Sequence, residues 1–209
     1  MRGDSLPDDQ RRAIAQKVAR FTGLSADYVE RTNLRININR FDKELLRDRR
    51  RTVGRLDSRF TGVDVDAAGE RPEFDPSMAA IMGVYTGVLN DYVRRTLRFE
   101  TDLPYEILTG KVSPWSYERQ QNRYLDVAET LRGAISRNPH LRVFVANSYY
   151  DLATPFAATH YTFSRMQLDP EHRANVTMRT YAGGHMMYVD KKAHAELRED
   201  VVRFIRGAS

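Results

Sequence analysis

An acidic residue and a histidine each follow a predicted strand near the end of the chain. Asp151 comes shortly after residues 141–146, LRVFVA, and His185 follows residues 175–181, NVTMRTY, across a Gly-Gly turn. Functional groups of open α/β sheets gather where strands end, so we expect these two side chains to meet at about 2.6–3.2 Å. A carboxylate beside an imidazole fixes the tautomer of a general base and stabilises the imidazolium that forms. The pair therefore predicts acid–base chemistry.

Helices predicted on either side of these strands define how the two residues are positioned. The helical segments are 125–137, 155–167 and 191–206, with Thr154 as the expected N-cap of the second helix and Pro155 as its first helical residue. Helices that alternate with strands in this way predict parallel strands joined by crossover helices. Two strands are too few for a stable sheet, so further strands are expected either from the first 120 residues or from outside this sequence.

The first 120 residues are predicted to be mostly helical. Helical spacing of apolar residues occurs in 8–20, 38–48 and 77–97, and Ser25 is a candidate cap for a short helix through Val29. The last of the long helices carries an apolar stripe and is capped by Ser77 or Asp75. Residues 51–75 are rich in Gly and Asp and predict extended segments and turns, and residues 98–121 predict irregular structure.

A nucleophile to match the acid and the base is missing from the 209 residues. The nucleophile elbow of α/β-hydrolases needs serine with glycine two residues before and two residues after it, and no serine here has both. Ser5, in Gly3-Asp4-Ser5-Leu6, has the motif of another esterase family but lacks the strand that should precede it. Asp64 to Asp75 partly match a calcium loop, but Ala68 and Pro72 depart from it. No metal site is predicted.

Composition excludes several classes of function. Lys and Arg number 33 against 28 Asp and Glu, which gives a net charge of +5, yet the basic residues are scattered among acids. That scatter argues against a nucleic-acid groove. The absence of cysteine excludes a thiol nucleophile and disulfides. Neither an apolar stretch of roughly 20 residues nor the apolar region of a signal peptide is present, so no membrane span is expected.

Three segments together resemble the C-terminal portion of serine carboxypeptidases, in the bacterial branch of that family. They are Asn147–Phe156 (NSYYDLATPF), Ala182–Tyr188 (AGGHMMY) and Gly54–Gly62 (GRLDSRFTG). The family has a loop that begins with Asn and contains Asp, and it has a Gly-His-Met sequence. The resemblance covers essentially the whole chain and departs from the family at Ser148, where glycine is usual.

This resemblance implies an α/β fold: the C-terminal part of an α/β-hydrolase parallel sheet plus a mainly helical insertion. Residues 1–120 would form the insertion, or lid, and residues 121–209 the end of the core. In this family, three groups of residues lie upstream of the insertion. They are the nucleophile serine, the glycines of the oxyanion hole and the residues that bind the substrate's terminal carboxylate. The chain is therefore expected to be a fragment whose partner is the N-terminal core segment that carries the serine.

The resemblance also implies roles for individual residues. Asp151 would be the triad acid, His185 the general base, and Met186 a lining residue of the site. Tyr149 is a further candidate for shaping the substrate cleft. The reaction would release one C-terminal amino acid from a peptide substrate, with no metal or organic cofactor, and the family is typically exported or vacuolar.

Two alternatives remain open. One is a non-catalytic α/β interaction module, and the other is an acyltransferase or lyase built on the same scaffold. By itself, the 209-residue chain is expected to lack peptidase activity, because an acid and a base need a nucleophile to activate.

Overall fold

The computed structural model describes residues 3–207. Its contacts divide the chain into two compact units, which are described separately. The first contains the chain up to Ala79, together with Tyr150–Ala153 and Gly183–Met186; the second contains Ala80–Tyr149, Thr154–Ala182 and the chain from Met187 onward. This grouping does not follow the division at residue 120 into lid and core, which stays a prediction. In the described residues, no helix has the length and apolar character needed to cross a bilayer.

Three helices begin the first unit, as the apolar spacing predicts. They are α1 (Asp8–Thr22), α2 (Ala26–Arg31) and α3 (Ile38–Glu44). Ser25 caps α2, because its hydroxyl accepts a hydrogen bond from the backbone N–H of Tyr28 at 3.1 Å. The small core between these helices contains Ala15, Leu24 and Val29.

The third helix ends earlier than its predicted limit of 48. Past Glu44 the chain tightens into a 3-10 turn at Arg47–Arg49, and Arg50 then adopts a left-handed φ of 54°. Since that conformation cannot continue a right-handed helix, the helical part of this segment ends before Arg51.

Residues 51–75 form extended segments and turns, as predicted. Two short strands, β1 (Thr52–Val53) and β2 (Thr61–Gly62), pair in antiparallel register, with Thr52 opposite Gly62 and Val53 opposite Thr61. The Nζ of Lys43, on α3, donates hydrogen bonds to the Asp64 carboxylate and the Asp66 carbonyl oxygen. This buried ion pair fixes the following loop to α3.

The fourth helix, α4 (Pro76–Asp91), has the cap that the sequence indicates. The Asp75 Oδ1 atom accepts from the backbone N–H groups of Ser77 and Met78 at 2.9 and 3.3 Å. The helix continues as one π-turn over Tyr92–Thr96, and residues 98–121 are irregular apart from two single 3-10 turns. Part of the predicted apolar stripe is exposed: Tyr85, Val88 and Tyr92.

A parallel strand pair lies in the second unit. The strands β3 (Val143–Ser148) and β4 (Val176–Tyr181) are in register from Val143 opposite Val176 to Ser148 opposite Tyr181. The helices α5 (Ala128–Arg137) and α6 (Phe156–Arg165) precede and follow β3, and α7 (Lys191–Arg206) follows β4. Their contacts build a core that contains Ile135, Met166 and Leu168, with Val143 and Val176 packed against it. The predicted parallel pairing is confirmed.

Two expectations about local structure need correction. The strand β3 begins and ends two residues later than predicted, so Asn147 and Ser148 belong to the strand and not to the loop. The helix α6 begins at Phe156 and its N-cap position is Pro155, not Thr154, because the Pro155 ψ of 132° lies outside the helical region. The described residues are thus mixed α/β with two small sheets; membership of the parallel pair in a hydrolase sheet stays a prediction.

Candidate functional site

The ends of β3 and β4 lead into two loops that stay hydrogen-bonded past the strands. In the second unit, the Tyr149 N–H donates to the Tyr181 carbonyl at 3.0 Å. In the first unit, the Tyr150 N–H donates to the Gly183 carbonyl at 3.1 Å. Asp151, one residue after Tyr150, therefore lies near the residues that follow Gly183.

The contact predicted between the acid and the histidine is present. Asp151 Oδ2 lies 2.9 Å from His185 Nδ1. The Asp151 side chain is only 6% exposed, whereas that of His185 is 41% exposed. A carboxylate on Nδ1 favours the tautomer with its proton there, which makes Nε2 the basic nitrogen. The pair thus has a buried orienting acid and a base that an incoming molecule can reach.

The second oxygen of Asp151 is also bonded within the chain. Its Oδ1 atom accepts a hydrogen bond from the Ala153 backbone N–H at 2.8 Å. Because burial of a carboxylate is costly unless its oxygens are satisfied, these two bonds explain how the acid is tolerated. They also fix the rotation of the carboxylate, so that one oxygen stays directed at His185.

The loop of residues 54–62 holds the acid–base pair through backbone hydrogen bonds. The His185 N–H donates to the Leu56 carbonyl at 2.6 Å, and the Leu152 N–H donates to the Arg55 carbonyl at 3.1 Å. In the opposite direction, the Ser58 N–H donates to the Tyr150 carbonyl at 2.9 Å. The loop therefore anchors the residues next to Asp151 and the backbone of His185 itself.

Close packing at Gly184 explains why a glycine precedes the histidine. A Cβ atom at this position would lie 2.5 Å from the Asp57 Cβ and 2.6 Å from the Leu56 carbonyl oxygen. Both distances are well inside van der Waals contact, so a side chain would push the loop away. Sequence analysis expected the Gly-Gly turn, but not this contact with Asp57.

An arginine completes the support from the 54–62 loop. The Arg59 Nε and Nη2 atoms donate to Asp57 Oδ1 and Oδ2 at 3.0 and 2.7 Å. The same guanidinium lies 4.7 Å from the centre of the Tyr150 ring, in cation–π geometry. Sequence reasoning missed Asp57 and Arg59 as part of this site; their only signal was the GRLDSRFTG segment of the resemblance.

The two predicted substrate-binding residues lie in different units. Met186 directly follows His185 and is half-buried in the first unit. Tyr149 is exposed in the second unit, where its ring packs edge-on against Phe156 at 5.4 Å. Both roles in substrate binding stay predictions.

A tyrosine anchors the end of β4 within the second unit. The Tyr181 hydroxyl donates a hydrogen bond to Asp200 Oδ2, on α7, at 2.9 Å. Burial and this carboxylate together raise the pKa of Tyr181, so the phenol stays protonated and keeps donating. The start of the histidine-bearing loop is thereby fixed.

The competing motifs do not form sites in the described residues. Ser5 lies in a single 3-10 turn, Gly3–Ser5, with no preceding strand to make a nucleophile elbow. In the partial calcium loop, the Asp64 carboxylate is bonded by Lys43, and Asp66 Oδ1 accepts from two backbone N–H groups. Within residues 3–207, no group of three or more His, Asp or Glu side chains is arranged to hold a metal ion.

Comparisons of the chain with protein-family models, curated proteins and solved structures find no match. The resemblance to serine carboxypeptidases thus depends on the motifs named above.

Proposed function

We propose that Asp151 and His185 are the acid and the base of a serine carboxypeptidase. The observation that carries this proposal is the 2.9 Å contact between Asp151 Oδ2 and His185 Nδ1, made by residues that follow two neighbouring parallel strands. A histidine oriented by a buried carboxylate at strand ends is the arrangement that acyl-transfer hydrolases use.

In the proposed reaction, His185 Nε2 takes the proton of a serine hydroxyl as that oxygen attacks the carbonyl of a C-terminal peptide bond. Asp151 stabilises the imidazolium that forms. The imidazolium then protonates the leaving amine, which releases the C-terminal amino acid. A water molecule, deprotonated by the same Nε2, attacks the acyl-serine and regenerates the hydroxyl.

The serine in this scheme comes from residues outside this 209-residue sequence. No serine within it has the glycine spacing of an elbow. The remaining residues then have supporting roles: the 54–62 loop positions His185, and Met186 lines the site beside it. The partners are a peptide substrate and the segment that contributes the nucleophile.

The test compares the 209-residue chain with a product extended by the coding sequence upstream of Met1. Both are assayed for release of the C-terminal amino acid from a blocked dipeptide and treated with a serine-directed organophosphorus inhibitor. We expect release and labelling only with the extended product, and loss of release in its H185Q variant. A D48N variant, at an exposed acid of the first unit, is the matched control and should keep full activity.

Two results would contradict the proposal. Release by the 209-residue chain at a rate comparable to the extended product, with label on one of its own serines, would place the nucleophile within it. Activity of the extended product that survives H185Q would remove the histidine from the mechanism. Transfer of an acyl group from a glucose ester, without peptide hydrolysis, would instead favour the acyltransferase alternative.

A further inference from the structure

A buried serine attaches the 54–62 loop to the first turn of α4. Ser77, the second residue of α4, is 3% exposed, and its hydroxyl oxygen accepts a hydrogen bond from the Leu56 N–H at 3.0 Å. The hydroxyl group donates its own proton to Asp75 Oδ1. Because a hydroxyl has one proton to donate and two lone pairs that accept, Ser77 bonds the cap of α4 and the loop at the same time.

Leu56 connects this serine to the histidine. Its N–H is bonded to Ser77 Oγ, and its carbonyl oxygen accepts the His185 N–H at 2.6 Å. One loop residue therefore lies between the Ser77 hydroxyl and the backbone of the proposed general base. Leu56 is itself buried, and a buried N–H group needs a hydrogen-bond partner. These residues and Asp151 all belong to the first unit.

Close packing at Gly54 brings the loop against α4. A Cβ atom at this position would lie 2.7 Å from both the Cβ and the Oγ atoms of Ser77. That distance is well inside van der Waals contact, so the missing side chain lets the loop approach the helix. The Arg55 N–H also donates to Asp75 Oδ1, at 3.2 Å. The two residues after Gly54, Arg55 and Leu56, are therefore both bonded to the start of α4.

We propose that Ser77 is a positioning residue for His185, which it holds in contact with Asp151 through Leu56. The inference rests on the proposed peptidase function, in which Ser77 touches neither the substrate nor the reacting atoms. Without the hydroxyl, the buried Leu56 N–H loses its partner, so the loop backbone shifts and the carbonyl bonded to His185 shifts with it. A displacement of about 1 Å in a catalytic group can lower a rate on the order of 100-fold.

A merely structural role for Ser77 predicts a different result. A serine at the start of a helix can simply stabilise that helix, as Ser25 does for α2 by accepting from the Tyr28 N–H at 3.1 Å. Ser25 is exposed, and in the described residues its hydroxyl bonds only within its own helix turn. The S25A variant is therefore the matched control, because it removes the same atom in the same unit without changing a bond to the 54–62 loop.

The first experiment needs no peptidase activity. In the 209-residue chain, the proton of His185 Nδ1 that is bonded to Asp151 should give a downfield proton NMR resonance, assigned by its loss in D151N. We expect S77A to weaken this resonance or move it upfield, while S25A leaves it unchanged. Urea unfolding of both variants shows that each one is folded and how much stability it has lost.

Hydrogen exchange of the parent chain tests the same series of bonds without a variant. If Ser77, Leu56 and His185 are held as one unit, the amide protons of Leu56 and His185 should lose their protection together as urea is added. A Leu56 amide that exchanges freely while the His185 amide stays protected would overturn the proposal. This measurement decides the matter even if S77A does not fold.

The second experiment measures kcat and KM of the extended product on a blocked dipeptide. The S77A variant should lower kcat by about tenfold and leave KM nearly unchanged, since a displaced base slows proton transfer without weakening peptide binding. The S25A variant should keep both constants. An equal loss of kcat in S25A and S77A would reduce Ser77 to a stabilising residue and overturn the proposal.

Failure of this proposal can be told apart from failure of the peptidase function. An unchanged downfield resonance in folded S77A would show that Ser77 does not position His185, whatever the activity of the extended product. Loss of the resonance in S77A, with an extended product that releases no amino acid, would support the positioning role and contradict the peptidase. Absence of the resonance from the parent chain would overturn the ordered Asp151–His185 contact that both proposals need.

Discussion

Asp151 and Asp42 are both buried acids of the first unit, yet their carboxyl oxygens differ in hydrogen bonding. Asp151 has hydrogen bonds on each oxygen, one from His185 and one from the Ala153 backbone. Asp42 has an unbonded Oδ1 atom and a pKa raised to about 7. Since a buried charge needs compensation, the first acid has its partner built into the chain and the second lacks one there. The first can orient a base, whereas the carboxyl of the second is favoured by burial in its protonated, uncharged form.

Adjacent residues on α3 make the same contrast. Lys43, next to Asp42, is buried but bonded to the Asp64 carboxylate and the Asp66 carbonyl oxygen. One turn of helix thus contains a compensated charge and an uncompensated one. Burial alone therefore does not mark a functional acid, and the hydrogen-bond partners of each oxygen must be counted.

The largest effect is expected on catalysis when Asp151, the acid with both oxygens bonded, is changed. In the extended product that contains the nucleophile, D151N should lower kcat/KM on the order of 10⁴-fold, because Asn favours the wrong imidazole tautomer. H185Q should lower it at least as much. Rates of release from a blocked dipeptide measure this, with D48N as control. Retention of more than a tenth of the activity in D151N would show that Asp151 does not orient the base.

Substitution of Asp42, the acid with an unbonded oxygen, should change the free energy of unfolding and not catalysis. The folded pKa of Asp42, about 7, lies above its unfolded value of about 3.9. Its protonated form therefore stabilises the fold below about pH 4, and that contribution is lost as the pH rises to 7. Asn keeps the shape without the charge, so D42N should be more stable than the parent above pH 7, by about 2–4 kcal/mol.

Urea unfolding of the parent chain and D42N from pH 4.5 to pH 8.5 measures this difference. The advantage of D42N should grow up to about pH 7 and then stay level. D48N should show no such trend, because Asp48 is exposed. A gain in D42N that is the same at every pH would mean that Asp42 does not titrate in the fold.

Sequence patterns predicted the geometry of the acid–base pair better than its surroundings. Parallel strands and the Asp151–His185 contact follow from periodicity and chain order, because register at strand ends is a local consequence of pairing. The 54–62 loop was not predicted as their support. Its bonds to residues about 95 and 130 positions later are made mostly by backbone atoms, which leave no pattern of residue types.

The burial of Asp42 was likewise not predicted from the sequence. Asp42 occupies a polar position within a predicted helix, where exposure is the ordinary outcome. In the fold its backbone carbonyl accepts a hydrogen bond from Thr52 of β1, and its side chain is buried. The Thr154 cap failed for a smaller reason. Proline fixes φ at a value that suits either the cap or the first turn, and the Pro155 ψ of 132° places it at the cap.

Close packing behind the histidine can be tested by a pair of glycine substitutions. In G184A, the new methyl group would meet Leu56 and Asp57 at 2.5–2.7 Å, which should cost about 1–3 kcal/mol and displace His185. At Gly133, on α5, an added methyl group would meet nothing within 4 Å, so G133A should gain about 0.5–1 kcal/mol. Urea unfolding of both variants measures this. A G184A variant as stable as G133A would show that the 54–62 loop moves aside without a cost in stability.

The smallest effect is expected at Arg59, which supports the pair through Asp57 and Tyr150. A lysine keeps the charge but cannot make two parallel bonds to a carboxylate. Because the Arg59 side chain is 38% exposed, R59K should cost only about 0.5–1 kcal/mol in stability. In the extended product it should lower kcat by about two- to fivefold with little change in KM, since a misplaced His185 slows proton transfer and leaves peptide binding intact.

A double-mutant cycle separates the contact of Arg59 with the Tyr150 ring from its bonds to Asp57. If the guanidinium acts partly through the Tyr150 ring, R59K and Y150L should be non-additive by about 0.5–1 kcal/mol in urea unfolding. R31K is the matched control, because Arg31 pairs with Asp27 on the exposed surface of α2, and its effects should simply add to those of Y150L. If the changes in unfolding free energy of R59K and Y150L simply add, and kcat is unchanged, Arg59 does not support the acid–base pair. The backbone hydrogen bonds of the 54–62 loop would then be its support.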